Sequence, residues 1–175
     1  MSCREEQDFA GWVIDSLKFG AGHECVSGKL EVSRLARLAD VLVDMSGRLD
    51  CRLSGFRGEG ELAGRFGLHL QVSGRLVLCC QRCLGKVDFD CGIDRHLLLV
   101  PEGEAWPEDE LEAESYDAIP ADREMAVMAL VEEEVLLALP LVPRHVDCRL
   151  PAGVVLVEGK SAVSPFAALA GLKKH

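Results

Sequence analysis

Aromatic side chains are scarce in this 175-residue chain: six Phe, two Trp and one Tyr, 5% in all. Proteins that read single-stranded RNA unaided stack its bases on such rings, and the composition advertises no platform of that kind. Positive charge in excess is lacking too. Nineteen basic against 29 acidic side chains give a formal net charge of −10, the wrong sign for a protein whose whole surface binds phosphate. No apolar run approaches the ~18 residues of a membrane span, and Met1 to Glu6 does not lead into the apolar stretch of a signal peptide. The expected location is cytoplasmic, with no membrane partner. Signatures of hydrolytic and nucleotide chemistry are missing as well: GxSxG, HExxH and GxxxxGKS/T do not occur. Glycines 58, 60 and 64 are spaced one residue too long for GxGxxG, and His23, His69, His96 and His175 stand isolated. Enzyme activity has no support here, and the expectation is a non-enzymatic protein.

Hydrophobic residues at 49% suffice for one core, and a chain of this length fits one domain with a tail. With few aromatics, that core is built from Leu, Val and Ala. Charge is unevenly placed. Residues 102–134 hold thirteen acids and one base, whereas Arg48 to Lys86 holds seven bases and three acids. In a reducing compartment the eight cysteines are not a disulfide framework, so clusters among them are metal or redox candidates. Cys51 and Cys91 fall at apolar positions of alternating runs and are expected to pack as small hydrophobes.

Val26 to Val32 reads as a short strand, and Ser33 as the N-cap of a helix with Leu35, Leu38, Ala39 and Leu42 on one stripe. From Gly47 the period changes to two, with Leu49, Cys51 and Leu53 on one side. Gly55 to Gly60 is expected to be a loop. The longest regular pattern follows: Phe66, Leu68, Leu70, Val72, Gly74, Leu76, Leu78 and Cys80 share a face, and Gly74 suggests a bulge or bend. Val87, Phe89, Cys91 and Ile93 resume the alternation after a tight turn. Pro101 to Ala121 is acidic and proline-bearing and reads as a long loop. Asp122 then caps a helix through Met125, Met128, Val131, Val135 and Leu139 that Pro140 stops, its Glu132, Glu133 and Glu134 forming a solvated face. Residues 149–163 have no period and read as a linker. Ser164 and Pro165 start a C-terminal tail helix whose Phe166, Leu169 and Leu172, followed by Lys173 and Lys174, suit a docking peptide.

The fold expected from this order is α+β: an antiparallel curled sheet or partial β-barrel with a few packed helices, residues 1–148 forming the domain. Cys80-x-x-Cys83 lies at the turn of the longest hairpin, and His145-x-x-Cys148 follows the Asp122 helix. Three thiolates and an imidazole are a set suited to tetrahedral structural zinc, but the two halves lie much further apart than in zinc fingers, and thiols without metal are the first expectation, with zinc at Cys80, Cys83, His145 and Cys148 as the alternative. A redox CxxC needs a helix N-terminus to lower its thiol pKa, and this one joins two strands. A second alternative is autonomous RNA binding through Arg48, Arg52, Arg57, Arg65, Arg75, Arg82 and Lys86.

The stretch Val77 Leu78 Cys79 Cys80 Gln81 Arg82 Cys83 Leu84, the run Val131 to His145 (VEEEVLLALPLVPRH), Cys148, and Ser164 to Lys174 (SPFAALAGLKK) occur in an order that resembles the bacterial YceD family of large ribosomal RNA subunit accumulation proteins. The likeness runs from about Gly28 to the end of the chain. It implies a role in synthesis, processing or stability of large-subunit ribosomal RNA, with a ribosome-assembly protein or ribonucleoprotein as partner. Cys79 departs from the single thiol that usually opens the motif.

Overall fold

The computed structural model describes residues 3–6, 11–59, 62–107 and 116–148. The period-two runs become the centre of one seven-stranded sheet. Along it lie β1 (Arg4–Glu6), β3 (Cys25–Glu31), β5 (Arg48–Arg57), β6 (Phe66–Cys79), β7 (Lys86–Val100) and β8 (Asp117–Pro120), with β4 (Leu42–Asp44) paired to the far end of β6. β2 (Val13–Ile14) and β9 (Met125–Ala126) form a separate two-stranded pair. The register puts Leu53, Leu70 and their alternating neighbours on one face. That face carries the core, and α1 (Ser16–Ala21) and α2 (Val127–Ala138) pack on it. The other face is uncovered by either helix.

The architecture is α+β as expected, and two details of the expectation change. The sheet is mixed rather than antiparallel throughout, since β1 pairs parallel with β3 and β8 parallel with β7. It stays open and does not close into a barrel. β8 lies inside the stretch expected to be loop, where its edge position tolerates Pro120 because no further strand needs that missing N–H. The parallel edge also sets Cys3 beside Cys25, and the two are joined in a disulfide. In a reducing compartment no disulfide is expected among the eight cysteines, and the Cys3–Cys25 pair corrects that expectation.

The expected Ser33-capped helix is instead two 3₁₀ turns, Val32–Arg34 and Ala36–Asp40. Val32, Leu35 and Leu38 are the buried residues, spaced by three, which matches three residues per turn better than 3.6. Their bonds run Leu35 N to Val32 O (3.0 Å) and Leu38 N to Leu35 O (3.1 Å). Gly55 to Arg57 belongs to β5, not to a loop. At Gly74 the β7 register runs through without a bulge, while the β5 ladder ends there, at Leu49 opposite Gly74, and β4 takes over as β6's neighbour from Val77. Glycine is needed there because a Cβ would lie 2.7 Å from Leu49 Cδ2 and 2.9 Å from Arg48 O.

The second helix starts five residues later than Asp122. Asp122 caps a turn, accepting from Glu124 N at 2.9 Å, and Met125–Ala126 is held extended by pairing with β2. Buried Ser16 is satisfied in the same region, its Oγ accepting from Asp122 N at 3.0 Å. Val127, Val131 and Val135 then lie on one buried stripe.

Glu132, Glu133 and Glu134 are not one solvated face. Glu132 accepts from Arg37 N at 2.7 Å, and Glu133 pairs with the Arg37 guanidinium. Glu134 is buried, and burial raises its carboxyl above the usual range; Asp117 and Glu133 push the same way, while Arg95 opposes. A carboxyl with a raised folded pKa stabilises in its protonated form, so its contribution is complete below the unfolded pKa and lost as pH climbs through the folded one. Glu134→Gln is therefore expected to raise the thermal midpoint at pH 7, with the gain vanishing below about pH 4. Thermal melts of both proteins across that range check it; a variant less stable than wild type at pH 7 would contradict the burial argument.

No helix among the described residues is long and apolar enough to cross a membrane. The expected linker and tail helix, with Phe166, Leu169, Leu172, Lys173 and Lys174, lie outside the described residues.

Candidate metal centre

β6 and β7 pair over thirteen residues, ending at Cys79 opposite Lys86. The chain must reverse in six residues, and it does so around Cys80. Cys80 N donates to Gly85 O at 2.8 Å and Leu84 N to Cys80 O at 2.9 Å, with Leu84 at φ 59°. Period two aims Cys80 at the apolar face, where it is buried, and the turn brings Cys83 round beside it. Cys79 stays outside the cluster, its Sγ near the Leu84 carbonyl at 3.7 Å.

The second half arrives from beyond α2. Pro140 and Pro143 forbid continued helix, and Gln81 N donates to Pro143 O at 2.9 Å, which fastens the loop to the hairpin tip. His145 and Cys148 then meet the first two thiols. Cys80 Sγ lies 3.6 Å from Cys148 Sγ, and Cys83 Sγ 3.5 Å from His145 Nδ1. One donor atom from each of the four lies within 4.8 Å of the others. Thiolates about 2.3 Å from a tetrahedral zinc stand roughly 3.8 Å apart, so these separations fit a shared ion.

The imidazole is oriented for the task. His145 Nε2 lies 2.7 Å from Lys86 O. A carbonyl only accepts, so Nε2 carries a proton, and Nδ1 is the ring atom turned toward the thiols. That Lys86 contact, ahead of the Cys80 and Cys83 contacts, raises the His145 pKa. The Cys83 N–H aimed at its sulfur, helped by those of Arg82 and His145 and opposed by burial, draws the Cys80 thiol down to about 5. Burial first, then hydrogen bonds to Cys83 and Cys80, push Cys148 up to about 11. Core thiols differ: burial lifts Cys51 to about 12 and also raises Cys91. The four-residue cluster could hold a metal ion.

Of the seven basic residues singled out in the sequence, three face carboxylates. Arg48 bonds Glu31 at 3.2 Å, Arg75 bonds Asp88 at 3.4 Å, and Lys86 lies 4.0 Å from Asp44. Arg57 sits over the Phe66 ring at 6.0 Å, and Arg65 Nη1 is buried without a partner among the described residues. Arg82 lies exposed in the hairpin turn. Arg48 and Arg52 line an open trough of about 1120 Å³ on the uncovered sheet face.

The histidines expected to be isolated are not all so. His69 and His96 are directly opposed in the β6–β7 register and stack at 4.0 Å. Both are equidistant from the hairpin turn, a signal that register counting outward from Cys80 would have found.

A family model described as large ribosomal RNA subunit accumulation protein YceD matches residues 68–173. No curated protein gives a significant match, nor does any solved structure.

Proposed function

We propose, since this chain belongs to the YceD family of large ribosomal RNA subunit accumulation proteins, that it is a ribosome-biogenesis factor supporting the synthesis, processing or stability of large-subunit ribosomal RNA. It does so in the cytoplasm without catalysing a reaction, by binding a ribosome-assembly protein or ribonucleoprotein. The observation that carries this is the family match itself, which spans the clasp, α2 and the tail. In this reading Cys80, Cys83, His145 and Cys148 hold a structural zinc ion: all four tetrahedral positions go to protein side chains, leaving none for water or substrate. Residues 164–175 form a docking helix on a linker, 149–163.

Deleting the gene is expected to deplete mature large-subunit ribosomal RNA or accumulate its precursors while small-subunit RNA is spared. RNA blotting of the deletion strain, with and without the plasmid-borne gene, measures this. Unchanged levels and processing would sink the reading.

A further inference from the structure

The uncovered sheet face carries a cluster of rings that the clasp does not involve. Register places Ser54, His69 and His96 in one row across β5, β6 and β7, and Tyr116 immediately precedes β8, whose Asp117 pairs with Leu97. The His69 and His96 rings lie face to face, 4.0 Å apart and 7° from parallel. Phe56, one row along, is opposite Gly67. A Cβ on Gly67 would lie 2.3 Å from Phe56 Cζ and 2.5 Å from Cε1, so the ring occupies the space that Gly67 leaves empty. There Phe56 meets His96 at 5.6 Å and Tyr116 at 5.8 Å, while Tyr116 meets His96 at 5.6 Å. Tyr116 remains 42% exposed.

His69, Asp94 and His96 also bring three metal-ligating groups within 4.8 Å, and ring geometry decides against a shared ion. An imidazole binds a metal in its own plane. Rings stacked in parallel have separate planes, and an ion in one plane lies off the other's lone pair. Asp94 has a different occupation: Oδ1 is 2.6 Å from His69 Nε2 and Oδ2 accepts from Gln71 Nε2 at 2.9 Å, which locks the His69 ring. Burial, then the His69 charge, lowers the His96 pKa, which favours a neutral ring.

The locking residues Gln71 and Asp94 also line the trough. Ring cluster and trough are therefore continuous. Arg52 stands opposite Gln71 in the register, with no carboxylate partner among the described residues. Around the trough the side chains include as many carboxylates as cations, so charge alone attracts a polyanion weakly there.

We infer that Phe56, His96 and Tyr116 form a stacking site for an unpaired base of single-stranded ribosomal RNA, whose strand continues along the trough past Arg52. This rests on the ribosomal RNA reading above and deepens it by naming a direct contact. Aromatic faces accept any base, and the amide, hydroxyl and guanidinium groups of Gln71, Ser73 and Arg52 offer hydrogen bonds beside it. Binding should depend on bases more than on phosphates, with a shallow salt dependence.

The full-length protein, titrated into a fluorescein-labelled single-stranded oligoadenylate of about twelve nucleotides and into an abasic strand with the same number of phosphates, tests this by anisotropy. The base-bearing strand is expected to bind about tenfold more tightly. Tyr116→Ala and His96→Ala should each cost about tenfold, Tyr116→Trp should retain affinity, and Arg123→Ala, exposed in the turn before β9 and away from the cluster, should change little. Equal binding of the two wild-type strands would overturn the site whether or not the variants fold, and so would folded Ala variants with wild-type affinity. Outcomes for the two readings separate in the deletion strain. Rescue of ribosomal RNA by Tyr116→Ala together with strand-independent binding removes the stacking site and leaves the family role standing.

Discussion

Removing metal from the purified protein with a chelator is expected to lower its thermal midpoint by roughly 10 °C, and Cys80→Ser should do the same without chelator. The four donors come from two places, the β6–β7 turn and the loop after α2, separated by 62 residues between Cys83 and His145 and by 68 between Cys80 and Cys148. Without an ion, the junction retains the Gln81–Pro143 bond and the His145 contact to Lys86. Three thiols so close together also repel once ionised, and a bound cation would offset that repulsion. Native mass spectrometry should count one metal per chain in wild type and none in Cys80→Ser. Cys79→Ser, which alters a sulfur outside the cluster, should keep both the ion and the midpoint. Metal-free protein with an unshifted midpoint would exclude a structural role for metal.

Gly55→Ala is expected to destabilise by about 3 kcal/mol, a midpoint loss of roughly 6–12 °C. A Cβ at Gly55 would sit 2.3 Å from the Phe19 carbonyl oxygen and 2.8 Å from Gly20 Cα. These are backbone atoms of α1, so no rotamer change relieves the overlap and the helix must move away from β5. Phe19 is buried in the core and would be dragged with it. Gly92→Ala is the matched control. Nothing lies within 4 Å of a Cβ there, and the substitution should be neutral or slightly stabilising, because alanine loses less backbone freedom than glycine in a strand. Urea melts of the two variants decide it, and equal midpoints would show that α1 tolerates displacement.

The parts of this molecule legible in the sequence are those set by local period. Leu68 to Leu78 and Val87 to Ile93 show alternation that a half-buried strand requires, and both are strands. The clasp was legible in its ligand types, because Cys-x-x-Cys and His-x-x-Cys each give two donors from a short turn. Their meeting was not, since it depends on where α2 packs. Long-range pairing likewise hid β8: Asp117–Pro120 has no alternation of its own and is a strand because it lies along β7. The start of α2 was misplaced for the same reason, with Ala126 held extended opposite Val13. Composition misled most about the rings. Nine aromatic side chains are few for a chain this long, yet register gathers Phe56 and Tyr116 onto two histidines, and an average over the sequence is blind to such gathering.

The division of the clasp between two distant segments also orders events in time. Pairing of β6 with β7 closes a short turn and needs few other contacts, so Cys80 and Cys83 can be in place early. His145 and Cys148 lie 62 and 68 residues further along than their contacts Cys83 and Cys80, a much longer loop to close. The four donors therefore stand together only where the hairpin tip and the loop after α2 have both been brought to one place.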